Sequence, residues 1–178
     1  MSHECAGIQV ESGTELSAPL QHLKDEHPIL LGMMDELEDL AEQLKAVGDA
    51  HSNLLRLREE VVLFMEELLP HSEKEEGFLF PMLGNYIGKE TGPIVVMEYE
   101  HEMAKENFDA YLKGTFDLDE TVTIKEAEKL YNRVIEGCSI LISHFHKEEN
   151  VLFPMAENIL TDVDKAELAK HYKVTYKH

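Results

Sequence analysis

Cysteine and basic residues are scarce in this sequence, and each scarcity excludes a class of protein. The two cysteines, Cys5 and Cys138, cannot build a disulfide framework, so we expect a reducing, cytoplasmic environment. Sixteen lysines and arginines stand against 36 aspartates and glutamates, which gives a formal net charge of −20. That charge would repel phosphate groups, and it argues against nucleic acid or an anionic membrane as a partner.

Long apolar runs are missing as well. No segment stays apolar over the ~20 residues that a membrane-spanning helix needs, and the first residues lack the basic start and apolar stretch of a signal peptide. A length of 178 residues suits one domain. We interpret residues 1–17 as a flexible leader, 18–158 as the folded domain, and 159–178 as a short helix with a tail.

Apolar residues recur at helical spacing along four long segments, and no segment alternates with the period of a strand. The sequence therefore predicts an all-α fold, an up-and-down four-helix bundle with a short extra C-terminal helix. Pro70 should kink the second helix near residues 66–70, while Pro81 and Pro154 should end the second and fourth helices. The predicted helices cover 17–48, 52–81, 93–114, 121–153 and 161–172.

Polar residues that commonly bind metals interrupt these apolar stripes at repeated positions. The segment 71–82, HSEKEEGFLFPM, aligns without gaps to 144–155, HFHKEENVLFPM, with eight of twelve positions identical. Glu26-His27 likewise repeats as Glu100-His101, so the bundle consists of two copies of a helical hairpin. We expect the stripe to continue beyond the two repeated glutamates through Phe78, Met82, Val151 and Met155.

The chemistry of these residues favours a metal site over a structural role. Carboxylates buried without a cationic partner would cost several kcal/mol each or would have to protonate, and the neighbouring stripes supply no lysine or arginine. Roughly eight donor atoms are too many for one tetrahedral ion and suit two ions. The candidate metal ligands are His27, His71, Glu75, His101, His144 and Glu148.

The ordered set His27, His71-x-x-x-Glu75, His101 and His144-x-x-x-Glu148 resembles the hemerythrin-like (HHE cation-binding) family. The sequence Glu-Glu-x-x-Leu-Phe-Pro follows in both halves, and the resemblance covers residues 18–158. It implies two iron ions with a bridging oxo or hydroxo group, with the histidines as terminal ligands and the two glutamates as bridges. Manganese or zinc would suit the same donors.

Three classes of function remain open on the sequence alone. The resemblance implies a di-iron protein that binds or senses oxygen, nitric oxide or peroxide. The alternatives are a redox enzyme or iron donor that repairs iron–sulfur centres or removes peroxide, and a metal-responsive interaction module. Oxygen carriers of the family have a fifth histidine that no repeat supports here, and Cys5 does not reproduce the paired cysteines of the repair relatives. The oligomeric state is open.

Three further residues have alternative interpretations. His22 is an additional candidate ligand, or else a surface histidine, because the second repeat has Val96 in its place. Glu76 and Glu149 follow the two repeated glutamates. We assign them to a solvated face, with a contact to a metal-binding residue as the alternative.

Overall fold

The computed structural model describes residues 14–46 and 48–176, and almost all of them are helical. No strand occurs in these ranges, so the all-α prediction is confirmed. Residues 1–13 of the predicted leader, Cys5 among them, lie outside the described part of the chain. The elements are α1 Ala18–Ala46, α2 Ala50–Lys74, π1 Glu75–Leu79, α3 Phe80–Ile87, α4 Pro93–Gly114, α5 Ile124–Lys147, π2 Glu148–Leu152, α6 Phe153–Ile159 and α7 Asp162–Tyr172, where π1 and π2 are π-helical turns.

The long helices α1, α2, α4 and α5 form the predicted four-helix bundle. Helix α1 packs on α2 and α5, while α4 packs on α5 and α2, which closes the ring of neighbours. Because π1 and α3 continue α2, and π2 and α6 continue α5, each repeat contributes one uninterrupted rod and one rod with a π-helical turn. The short C-terminal helix α7 lies against α1 and π1.

Two apolar clusters fill the bundle, one on each side of a polar layer. The larger cluster includes Leu30 to Leu44 of α1 and Leu54 to Leu68 of α2. The smaller one includes Leu20, Leu23 and residues that follow the π-helical turns, such as Phe80 and Phe153. On every rod the predicted ligands fall between the two clusters, so both apolar ends of the bundle hold the polar layer in place.

The π-helical turns correct two predictions about the second and fourth helices. The Phe80 N–H donates to the Glu75 carbonyl and the Phe153 N–H donates to the Glu148 carbonyl, each five residues back. The extra residue moves the buried stripe one position along, so Phe78 is 36% and Val151 is 44% exposed. The core positions are instead Leu79, Phe80, Leu83, Leu152, Phe153 and Ala156.

The prolines also act differently from the prediction. Helix α2 is continuous through Pro70 to Lys74, so a kink at 66–70 stays a prediction, and a π-helical turn begins at Glu75. Neither Pro81 nor Pro154 ends its rod of helix. Each lies in the first turn of a new α-helical segment, where a backbone N–H is not required. The chain therefore stays helical to Ile87 in the first repeat and to Ile159 in the second.

Helix α7 confirms the predicted C-terminal helix and begins with a capping box. The Thr161 side chain accepts from the Asp164 N–H, and the Asp164 carboxylate accepts from the Thr161 N–H. The Lys165 ammonium donates to Glu157 over 2.6 Å, and the Tyr172 hydroxyl donates to the Lys74 carbonyl over 2.9 Å. None of the described helices combines the length and apolar character needed to cross a bilayer.

Candidate metal centre

The structure brings the predicted ligands together in the polar layer of the bundle. Helix α1 supplies His27 and α4 supplies His101, while the rods that contain π1 and π2 supply a histidine and a glutamate each. Histidine and glutamate four residues apart share one helical face, so each such pair points inward together. All of them are at most 2% exposed: His27, His71, Glu75, His101, His144 and Glu148.

These side chains form two groups that share both carboxylates. One group contains His27 and His71, the other contains His101 and His144, and Glu75 and Glu148 belong to both. Within each group the ligand atoms lie within 4.8 Å of one another. Two histidines with two shared carboxylates per group are the arrangement expected for a pair of metal ions.

The carboxylate oxygens divide evenly between the two groups. In Glu75, Oε1 lies 3.5 Å from His71 Nε2 and Oε2 lies 3.4 Å from His101 Nε2. In Glu148, Oε2 lies 3.3 Å from His27 Nε2 and Oε1 lies 3.1 Å from His144 Nε2. Each carboxylate thus presents one oxygen to each group, which is the geometry that a bridging ligand requires.

Most of these inward-facing atoms have no hydrogen-bond partner in the described part of the chain. This applies to Nε2 of His27 and His71 and to all four oxygens of Glu75 and Glu148. A buried polar atom left unpaired costs about 1–3 kcal/mol, and a charged one costs more. Metal ions would accept the imidazole lone pairs and neutralise the carboxylates, so the donors fit a pair of metal ions.

The two central carboxyls affect each other strongly. Burial, and then the adjacent negative charge of Glu148, raise the pKa of Glu75 well above its ordinary range. Burial also acts to raise the pKa of Glu148, but the nearby charge of His144 outweighs it and lowers that pKa. No lysine or arginine among the described residues pairs with either carboxyl, and a bound metal cation would let both ionise.

A second layer of carboxylates orients every one of the four imidazoles. In each case the Nδ1–H donates to a glutamate on another rod, and the Nε2 atom faces the centre. This bond fixes the tautomer and leaves the Nε2 lone pair available to a metal. The pairs are His27–Glu149 at 2.8 Å, His71–Glu26 at 2.8 Å, His101–Glu76 at 2.6 Å and His144–Glu100 at 3.1 Å.

Lysines on the bundle surface lie beside each of these outer carboxylates. Burial would raise the pKa of Glu26, but hydrogen bonds from His71 and Lys74 lower it to about 2. The hydrogen bond from His101, with help from Lys105, also lowers the pKa of Glu76 to about 2. Matching lysines serve the other two carboxylates, Lys147 beside Glu100 and Lys24 beside Glu149.

The outer carboxylates mark where sequence reasoning fell short. For Glu76 and Glu149 the structure confirms the alternative, contact with a metal-binding residue, rather than the solvated face, because both accept hydrogen bonds from histidines of the opposite repeat. No role was predicted for Glu26 and Glu100, although their recurrence directly before His27 and His101 was a usable signal.

The additional candidate His22 lies outside both groups of ligand atoms. Its Nε2 atom is 3.3 Å from Glu26 Oε1, on the outer side of the carboxylate that holds His71, and its ring lies 6.1 Å from that of Tyr172. His146, two residues after His144, is on the exposed face of α5, where Asn150 bonds to it.

Comparison with known proteins agrees with this centre. Residues 18–156 match the family model described as Hemerythrin HHE cation binding domain. Similar proteins include two called "Iron-sulfur cluster repair protein YtfE", one from Yersinia pseudotuberculosis serotype O:1b (strain IP 31758) and one from Dickeya chrysanthemi (strain Ech1591). Both are 35% identical to this chain, over 130 and 128 residues respectively.

The similarity covers unequal shares of the proteins compared. The aligned region is 69% of this chain but only 57% of each of these two relatives. The chain thus matches little more than half of the length of the proteins it resembles.

Proposed function

Because the chain belongs to the hemerythrin HHE cation-binding domain family, we propose that it holds a non-haem di-iron centre that binds or senses a small oxidant or diatomic molecule. Oxygen, nitric oxide and peroxide are the molecules of this class. One observation carries the proposal: Glu75 and Glu148 each present one oxygen to each pair of histidines.

Each residue has a definite part in this proposal. His27 and His71 would hold one ion, His101 and His144 the other, and Glu75 and Glu148 would bridge them, with an oxo or hydroxo group completing the bridge. Bound iron would supply a redox-active Lewis acid with coordination positions left over for a small molecule. A set with four neutral nitrogens and only two carboxylates favours the ferrous state over a carboxylate-rich set, which suits reversible binding.

The surrounding residues prepare the site for that task. Phe80, Phe145 and Phe153 lie against the histidine rings and exclude water from the polar layer. The outer glutamates hold the imidazoles in one orientation, so little reorganisation is required when a metal binds. In this reading residues 18–158 form the functional domain.

Location and partners follow from the same properties. We propose a cytoplasmic protein, because Cys138 is a free, buried thiol and burial raises its pKa, which keeps it unreactive. The partner is a small molecule rather than nucleic acid, since a net charge of −20 repels phosphates.

Metal analysis combined with optical spectroscopy tests the proposal. We expect anaerobically purified protein to contain close to two iron ions per chain and to change its absorption when oxygen or nitric oxide is added. Protein that is loaded with iron but gives the same spectrum with and without these gases would contradict ligand binding. Manganese or zinc at two per chain would keep the site and change the metal.

A second function, repair of damaged iron–sulfur centres, is favoured by the names of the two similar proteins. An assay with a cluster-containing enzyme that has been damaged by nitric oxide or peroxide tests it. The iron-loaded protein should restore activity in proportion to its iron content, and the metal-free protein should not. Ligand binding without any restoration would leave only the first function.

A further inference from the structure

The two halves of the centre differ at the buried position that follows His71 in one repeat and His144 in the other. Ser72 follows His71 in the first repeat, and Phe145 follows His144 at the matching position of the second. Phe145 stacks on the His27 ring with centroids 4.2 Å apart and lies 5.5 Å from the His71 ring. An aromatic side chain therefore fills the space beside the His27 and His71 group.

The two-fold relation of the repeats assigns Ser72 to the other group. A second pair of matching phenylalanines shows that the relation holds at the centre: Phe153 is 5.6 Å from the His27 ring, and Phe80 is 5.5 Å from the His101 ring. By the same relation, Ser72 occupies beside His101 and His144 the position that Phe145 occupies beside His27 and His71. A serine side chain at this position is much smaller than the phenylalanine at the matching position of the second repeat.

The hydroxyl of Ser72 also lacks a partner. Ser72 is 1% exposed, and its Oγ atom has no hydrogen bond to any described residue. Serine inside a helix usually returns its hydroxyl to the carbonyl four residues earlier, which does not happen here. Buried hydroxyl groups in proteins nearly always find a partner, so this one indicates an acceptor that the protein itself does not supply.

We propose that the exogenous small molecule binds at the metal held by His101 and His144, and that the Ser72 hydroxyl donates a hydrogen bond to it. This rests on the proposed two-metal centre. The ligand class is a small anion or diatomic molecule with one atom on the metal and lone pairs on the atom farther away. Phe145 blocks the equivalent position at the other metal, so the two metals have different tasks.

Azide is a suitable probe, because it is a small anion with a terminal nitrogen that accepts hydrogen bonds and its binding to ferric iron is followed by absorption. Ser72→Ala should bind azide about tenfold more weakly, in keeping with one hydrogen bond to a charged ligand. Ser72→Thr retains a hydroxyl and should bind more tightly than Ser72→Ala. Ser72→Phe should abolish binding by filling the space.

The mirror variant and a matched control separate this role from a general effect on the fold. Phe145→Ser should open the second position and raise the azide bound per di-iron centre from one to two. Ser143→Ala changes an exposed serine directly before His144 and should leave azide affinity unchanged. Metal content, measured on every variant, should stay at two per chain.

The outcomes are distinct. Equal azide affinity in the wild type and Ser72→Ala, both with two irons bound, would overturn the Ser72 inference and leave the di-iron centre standing. An equal loss in Ser143→Ala would overturn it too. Wild-type protein that holds fewer than two metals would instead contradict the proposed function itself, because the inference presupposes that centre.

Discussion

Glu75 is the residue whose contribution to stability depends most on metal. In the metal-free protein its carboxyl is fully buried beside Glu148, and neither oxygen has a hydrogen-bond partner among the described residues. With metal bound, the same oxygens would be ligands. A side chain placed in this way costs stability on its own and is retained for what it binds.

Replacing Glu75 should therefore have opposite effects on folding and on metal binding. In Glu75→Gln, a neutral amide of the same size removes one of two adjacent buried carboxyls. We expect the free energy of unfolding of the metal-free protein, measured in urea with a chelator present, to rise by about 1–3 kcal/mol. The metal content after purification should fall below two per chain.

Glu73→Gln is the matched control, since Glu73 is exposed on the same helix two residues earlier. It should change neither quantity. A Glu75→Gln variant that is less stable without metal, yet still binds two ions, would show that this carboxyl is a structural group and not a ligand.

The outer glutamates lead to a second prediction at the residue scale. Glu76→Ala removes the carboxylate that accepts the Nδ1–H of His101 and frees Lys105. Partners of this kind typically contribute 10–100-fold to metal affinity, so we expect a loss within about that range in a competition with a chromogenic chelator. Glu73→Ala touches no histidine and should retain full affinity; an equal loss there would contradict the orienting role.

At the scale of single residues, the sequence identified side chains whose type is unusual for their position and missed those whose type is ordinary there. The candidate ligands stood out because histidine and glutamate do not belong in an apolar stripe. Glu26 and Glu76 did not stand out, since a glutamate next to a stripe is normally solvated. Ser72 differed from Phe145 in the repeat alignment, yet only its burial and unpaired hydroxyl give that difference a meaning.

At the scale of elements, the π-helical turns explain where the helix predictions failed. An α-helical period carried through Glu75 and Glu148 leads to Phe78 and Val151, which are exposed, because each turn contains one residue more. Proline follows two residues after each turn, and a wider turn accommodates a ring that has no N–H to donate. The sequence showed the prolines, but not whether the helix would stop or widen.

Helix α7 carries a pH prediction. Burial acts to raise the pKa of Glu157, but the Lys165 ammonium and the Ser17 N–H outweigh it and lower that pKa below its ordinary 4.5. A depressed pKa adds stability above pH 4.5 that is lost as the pH falls toward the folded-state value. We therefore expect the protection factors of the α7 amides, the intrinsic exchange rate at each pH divided by the observed rate, to fall below pH 4.5.

Two variants of α7 and its contact check this origin. Glu157→Gln should show low protection of the α7 amides already at neutral pH and little further change in protection on acidification. Glu167→Gln alters an exposed carboxyl on the same helix and should behave like the wild type. If acid loosened α7 equally in Glu157→Gln, the ion pair with Lys165 would not be what holds this helix.

At the scale of the whole molecule, the repeat made the fold predictable. Two hairpins with matching ligands can bury them only by closing into one bundle, and this fixed the class, the number of long helices and the layer in which the ligands meet. The departures from two-fold symmetry were less visible: α7 lies against α1 and π1 of the first repeat, and Ser72 stands where the second repeat has Phe145. They are the features that can give the two metals different roles.

Bound metal should contribute to the stability of the fold, because the polar layer that would hold it separates two apolar clusters. A metal ion whose free concentration is a thousand times its dissociation constant raises the free energy of unfolding by ~4 kcal/mol. For a chain of this size that corresponds to a melting temperature about 8–16 °C higher. Removing metal with a chelator should lower the melting temperature by at least that amount, as measured by circular dichroism.

The loss should also be local, and hydrogen exchange distinguishes this from general weakening. Without metal, the buried carboxyls and imidazoles of the polar layer lack partners, so amides of 75–83 and 148–156 should exchange much faster. Amides near Leu54, where the Tyr111 hydroxyl bonds to the backbone in the larger cluster, should change little. Uniform acceleration along the whole chain would mean that the polar layer does not open separately, and an unchanged melting temperature would mean that these residues are not a buried ligand set.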